Sequence, residues 1–343
     1  MKSPAFGLNR FDFSTPNLFA EDVKRAEDLG WDYAFVPDSQ LRRHDTYVLL
    51  ASAASKTSKI NLGTLLANPI TRHLTVTAGS IATVDEVSNG RALLGLGIGD
   101  TAVRLAGLSP AKVTTLEKST KSIRALLRGK EIELGAVKPS HLPHHRPVPV
   151  WIAAAGPRTL RAAGRVADGV FIRVGMHLEN IKSSIEQIFS GAREAGRDPN
   201  EIKLGLVVHT ILEDNIDKAV LMGKSMAAGY YEYSPFLFDK PSIPWEGPDV
   251  EHLKTKIHPD FHHHTDLVES GGLVNFLPDS AAYSFAALGS AEDITQQFQT
   301  VLSQGIEFDI VVPHPVPNPR TKSNVKKQTY MEIMGKEVLP KLK

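Results

Sequence analysis

The stretch AAAGPRTLRAAGRVADG at residues 153–169 carries the most legible chemistry in the chain. Ala155 and Gly156 leave a backbone without bulky side chains, and Pro157 suits the first position of a helix, where a missing N–H costs nothing. Backbone N–H groups at that helix start, with the Arg158 guanidinium and the Thr159 hydroxyl, would bind an anion such as a phosphate. An ordinary capped helix accounts for the same residues. Arg173, at the end of the next apolar run, can add a second positive charge to this region. A second loop, GRALLGLGIGDTAVRLAG (90–107), sets Gly95, Gly97 and Gly99 at alternate positions and reaches Asp100. Glycines at period two strip one face of a strand, which admits either a flat ligand against the backbone or a tightly packed barrel. The spacing is G-x-G-x-G and lacks the continuation of the dinucleotide fingerprint.

Other constellations exclude more than they suggest. HHHTD (262–266) and HLPHH (141–145) invite a metal reading, but adjacent loop histidines point in different directions and no carboxylate stands at ligand spacing. No metal site is expected. There is no cysteine, which removes disulfides, thiolate metal sites and cysteine nucleophiles. Neither a G-x-S-x-G elbow nor a phosphate-binding G-x-x-x-x-G-K-[ST] loop occurs. Arg42, Arg43 and His44 follow Asp38 on a mouth loop and either meet an acidic ligand or are simply solvated. With 39 basic against 38 acidic residues the net charge is +1, which offers no footprint for nucleic acid or an anionic membrane. The N-terminus lacks the pattern of a signal peptide, and no apolar run approaches the roughly 18 residues of a membrane span. A cytoplasmic address follows as the expectation.

The elements that must position these residues alternate along the chain. Apolar runs at 5–9, 32–36, 60–66, 91–97, 148–155, 168–174, 202–210 and 305–315 read as strands. Between them lie segments of helical spacing; 18–30, for example, sets Phe19, Val23, Ala26 and Leu29 on one face and ends at Gly30. Further helices are expected at 46–58, 74–88, about 111–128, from Arg158, at 177–195, 214–228, 291–305 and 323–341. Eight such units predict an α/β fold, a closed (β/α)8 barrel over 1–343 as a single domain. Residues 229–290, between the seventh and eighth strands, break the rhythm with aromatic, proline-rich and histidine-rich stretches. They predict an insertion that forms a lid or substrate wall beside the catalytic face, with inert surface decoration as the alternative.

Four motifs in order resemble the luciferase-like monooxygenase superfamily, and most closely its F420-dependent branch of methylene-tetrahydromethanopterin reductase and related enzymes. They are WDYAFVPDS (31–39), NLGTLLANPITRH (61–73), SNGRALLGLGIGD (88–100) and AAAGPRTLRAAGRVADGV (153–170). The resemblance implies a flavin or deazaflavin at the C-terminal mouth of the barrel, its phosphate on Ala155–Thr159 and its ring backed by a bulge at Leu65 and Leu66. It also implies a non-proline cis peptide between those two leucines. Asp38, Ser39 and Asn68 fall beside the implied ring, and Gly97, Ile98 and Gly99 line it. Asp100 and Ser39 are the implied groups for proton handling or substrate polarisation. Ser39 stands where some deazaflavin relatives carry histidine, and Asn9 where the reductase branch can carry an acid. The implied activity is hydride transfer between coenzyme F420 and a small organic substrate, in a homodimer; the mostly apolar composition of 46–58 and 74–88 suits an interface or packing within the barrel. An FMN-dependent monooxygenase, or a cofactor-binding paralogue without catalysis, would use the same barrel.

Overall fold

Nine parallel strands form the frame of the molecule, a computed structural model that describes residues 3–9, 15–316 and 328–343. The N-terminal segment read for a signal and the start of the helix expected at 323–341 lie partly outside the described residues. The strands are β1 (Ala5–Asn9), β2 (Tyr33–Val36), β3 (Asn61–Ala67), β4 (Ala92–Leu96), β5 (Val150–Ala154), β6 (Gly169–Ile172), β7 (Lys203–Leu212), β8 (Ala286–Gly289) and β9 (Ile310–Pro315). β1 to β7 pair in chain order; β9 then pairs with both β7 and β1 and closes an eight-stranded barrel. This is the expected (β/α)8 architecture, with each of the eight anticipated runs supplying one barrel strand.

β8 is the ninth strand and the alternation did not foretell it. It takes up the edge of β7 where β6 has ended: β6 pairs with Lys203–Leu206, β8 with His209–Leu212.

The outer layer holds α1 (Pro16–Asp28), α2 (Thr46–Ala54), α3 (Leu74–Val87), α4 (Thr101–Leu105), α5 (Val113–Leu127), α6 (Pro157–Val166), α7 (Leu178–Glu194) and α8 (Ile216–Tyr233). α1 shows how the sequence sets an end. Thr15 caps its start, Pro16 opens it, Phe19, Val23 and Ala26 bury one face, and Gly30 stops it at φ 85°, where a side chain would be strained. After α8 come α9 (Val250–Lys254), α10 (Leu267–Leu273), α11 (Asp279–Phe285) and, past β8, α12 (Ala291–Leu302). The break expected at 229 falls inside α8, which runs on to Tyr233 because its last turns are anchored by buried Gly229 and Tyr230. The insertion is a packed body. Tyr231 stacks on Trp245 at 4.1 Å, and Phe276 meets the same indole edge-on at 5.1 Å.

Side chains alternate across each strand, so every second residue enters the barrel. Phe35, Trp151 and Phe171 fill its middle, with Phe171 against the other two rings at 5.4 and 4.6 Å. Glycines on neighbouring strands make the room. A Cβ on Gly7 would sit 2.6 Å from the Phe35 ring, one on Gly169 2.3 Å from Trp151, and one on Gly205 2.7 Å from Phe171. Gly95 belongs to this set too, since its Cβ would lie 2.2 Å from the Thr64 carbonyl oxygen. Of the two uses open to that glycine, packing is the one the backbone shows.

Candidate active site at the barrel mouth

One step beyond the aromatic plug, the same alternation brings a last inward layer to the C-terminal mouth. On β3, β4 and β5 the inward positions of this layer, within or just past the strands, are Leu65, Gly97 and Ala155, which are apolar or small. On β6, β7, β9 and β1 the inward positions of this layer, at or next to the strands, are Arg173, His209, His314 and Asn9, which are polar. The mouth therefore has two chemically different halves.

The apolar half is shaped by β3. The Leu65–Leu66 peptide is cis, and the ladder shifts between Thr64 and Ala67, so three residue steps of β3 face two of β4. The Leu66 carbonyl accepts the Asp38 N–H at 3.0 Å, and the Leu65 carbonyl accepts from Asn9 Nδ2 at 3.3 Å. Beside this bulge Gly97 leaves no space unused, for a Cβ there would meet the Leu66 side chain at 2.7 Å. Gly99, at φ 76°, turns the chain against Asn68, and Ile98 between them is 39% exposed. Asn68 Oδ1 accepts from the Ile70 and Thr71 N–H groups, which forms the turn that ends the strand. Its Nδ2 and the Ser39 hydroxyl are buried with no partner among the described residues.

Asp38 is 2% exposed and takes Arg72 Nε at 2.9 Å. Arg72 also bonds Asp45 and lies over the Tyr47 ring at 5.0 Å. Burial pushes the Asp38 carboxyl up, against the pull of Arg72. At Asp45 burial also acts upward, but Arg72 and the Val48 and Tyr47 N–H groups hold it below the usual carboxylate range.

The loop expected to meet an anion opens α6. Gly156 is the N-cap of α6 and offers no side chain, Pro157 is at the first position, and the space in front of Gly156 is open. Arg158 is exposed beside it. Asp100, at the start of α4, bonds Arg104 Nε at 2.5 Å and is 42% exposed at the side chain, so it sits on the rim. Arg173 turns its guanidinium across to β7, where it donates to His209 Nε2 at 3.0 Å.

On the polar half, His209 and His314 are register partners across β7 and β9, with ring centroids 5.4 Å apart. Asn9 Nδ2 lies 3.2 Å from His314 Nδ1. His262 reaches in from the insertion, bonds the Met226 carbonyl through Nε2 at 3.1 Å, and lies 4.8 Å from His209. Burial, then the Arg173 charge, hold both His209 and His262 well below the ordinary imidazole range. Among the described residues no group of three or more histidines, cysteines or carboxylates is arranged to hold a metal ion. Among the same residues no helix is long and apolar enough to cross a membrane.

The luciferase-like monooxygenase family model matches residues 14–307. The chain belongs to this family. It is 31% identical to 5,10-methylenetetrahydromethanopterin reductase of Methanolobus tindarius, over 97% of this chain and 99% of that one. It is 26% identical to the phthiodiolone/phenolphthiodiolone dimycocerosates ketoreductase of Mycobacterium bovis, over 90% and 84%. Among solved structures, the coenzyme F420 dependent tetrahydromethanopterin reductase of Methanopyrus kandleri superposes with a TM-score of 0.80 at 27% identity, covering all of both chains.

Within this luciferase-like barrel, the sequence reading pointed at the apolar half, the 155–159 loop, Arg173 and Asn9 but passed over the two histidines of the polar half. His209 and His314 stand near the ends of the runs GLVVHT and IVVPHP. A polar residue toward the C-terminal part of an otherwise apolar strand was the available signal. His262 was weighed only for metal, Arg72 lay inside the 61–73 motif without being given a role, and Tyr230 carried no motif.

Proposed function

We propose that the chain is an oxidoreductase that passes a hydride between coenzyme F420 and a small organic substrate at the barrel mouth. One observation carries this function: a bulged, largely apolar wall at Leu65, Leu66 and Gly97 lies beside two buried, unpartnered polar groups, Ser39 Oγ and Asn68 Nδ2. A flat heterocycle with polar edges fits that wall, because its ring covers the apolar backbone and its edge groups meet the unpartnered atoms. The relatives point the same way, since the Methanopyrus kandleri reductase is F420 dependent by name.

When bound, the coenzyme supplies the hydride chemistry. The residues around it bind and orient. Ala155, Gly156, Pro157 and Thr159 set the first turn of α6 toward the phosphate, and Arg158 adds charge. Leu65 and Leu66 back the ring, while Asp38, held by Arg72, keeps the adjoining turn in place. Gly97, Ile98 and Gly99 border its other side. Ser39 is the proposed proton-handling group inside the mouth, and Asp100 on the rim exchanges protons with solvent. A homodimer in the cytoplasm completes the proposal.

The test is a pair of titrations followed by absorbance, one with F420 and one with FMN, on the wild type and Arg158→Ala. A charge-assisted contact of about 1.5–3 kcal/mol predicts that Arg158→Ala weakens F420 binding by about one to two decades. Unchanged affinity would remove Arg158 from the site. Tighter binding of FMN than of F420 would overturn the choice of coenzyme.

A further inference from the structure

The polar half of the mouth holds Arg173, a guanidinium that no carboxylate neutralises among the described residues. Among the described residues Arg173 has no carboxylate within ion-pair distance, and its guanidinium lies 3.0 Å from His209 Nε2. The carboxylates that approach the mouth are each engaged elsewhere: Asp38 with Arg72, Asp100 with Arg104, and Asp260 with His263 at 2.8 Å. A guanidinium donates and never accepts, so His209 Nε2 is the acceptor and its ring is neutral. His209 thus holds Arg173 in place without cancelling its charge. Arg173 is half-buried, and a guanidinium partly withdrawn from water gains from a carboxylate partner, because its charge is costly to leave uncompensated. At a binding mouth the missing counter-charge is the ligand's to bring.

We propose that Arg173, positioned by His209, is the subsite for the oxygen of a carbonyl-bearing hydride acceptor, so that the substrate class is a ketone or aldehyde. This rests on the coenzyme assignment above. In the reduction the incoming hydride forms a C–H bond at the carbonyl carbon, and the C=O π pair passes to oxygen. That oxygen takes a proton from water to give the alcohol. The reduced deazaflavin is the electron source, and the proton it releases on oxidation returns to solvent. Negative charge grows on the oxygen during the step, and Arg173 faces it with the opposite sign. An iminium acceptor is cationic before the hydride arrives and would meet a like charge there. The location also separates the two ligands: the coenzyme takes the β3–β5 half, the substrate the β6, β7, β9 and β1 half.

Three probes of matched size test the subsite: isobutyrate, isobutyramide and isobutylammonium, titrated calorimetrically into the coenzyme-free protein and again with F420 bound. Isobutyrate should bind about tenfold or more tighter than isobutylammonium, with isobutyramide between. Arg173→Met should abolish that order while leaving the F420 titration within about twofold, and Arg173→Lys should retain part of the preference. An absent preference, or one that survives Arg173→Met, overturns the proposal. So does a tenfold or greater loss of F420 affinity in Arg173→Met, which would assign the charge to the coenzyme. A wild type that prefers isobutyrate through Arg173 but binds no F420 would support the anion subsite and sink the coenzyme assignment instead.

Discussion

His209 and His262 are neutral because they are buried beside Arg173, and this has a pH consequence of definite sign. In the unfolded chain each imidazole titrates near about 6.5. Between that value and the lower folded value, the unfolded chain binds more protons, so stability rises with pH across the window. It is fully present above about pH 6.5 and is lost as pH falls, by about 1.4 kcal/mol per pH unit for each ring. Thermal melts from about pH 7.5 down to about pH 5 should show this fall, and His209→Gln should flatten it. The same slope in both proteins would mean that His209 does not titrate on unfolding. Part of the residue-level site was legible in the sequence. Ser39, Asn68 and the loop from Ala155 to Thr159 sit in contiguous motifs whose shape depends on near neighbours. In the polar half Arg173 and Asn9 were noticed singly, but their pairing with His209 and His314 was not legible, because such contacts span the chain: Asn9 and His314 are 305 positions apart. No local spacing displays such a pair.

At the scale of elements, the anion loop depends on how α6 is held. α6 and α7 touch backbone to backbone: a Cβ on Gly164 would lie 1.9 Å from the Ile188 carbonyl oxygen, and one on Gly191 2.0 Å from that of Arg161. Gly164→Ala must force these helices apart, at a cost of about 1–3 kcal/mol or more. Because α6 begins at the proposed phosphate site, the same substitution should also weaken F420 binding. Urea melts and a coenzyme titration on one preparation check both effects, and a variant as stable as the wild type would show that the helices yield without cost. The eight barrel strands were legible because each is an apolar run bounded by helical spacing. β8 was not, because its four residues AALG follow a helical stretch and become a strand only against the exposed edge of β7.

For the whole molecule, α2 and α3 leave large apolar side chains outside: Val48 is 54% exposed, Val76 49% and Val87 45%. We expect these helices to pair two copies of the chain, as the composition of 46–58 and 74–88 suggested. Sedimentation at micromolar concentration should give a dimer, and Val48→Glu with Val76→Glu should give a monomer; a monomeric wild type would refute the pairing. The plug at the centre of the barrel bears on history more than on assembly. Gly7 exists because Phe35 occupies its space, at 2.6 Å from where a methyl would stand. Neither residue is free to drift alone: alanine at 7 collides with the ring, and leucine at 35 leaves a void. Together the two changes relieve each other. A double-mutant cycle of Gly7→Ala and Phe35→Leu should therefore show a favourable coupling of about 0.5–3 kcal/mol. Descendants of this chain would then cross that pair of positions by linked substitution, and the two sites would covary.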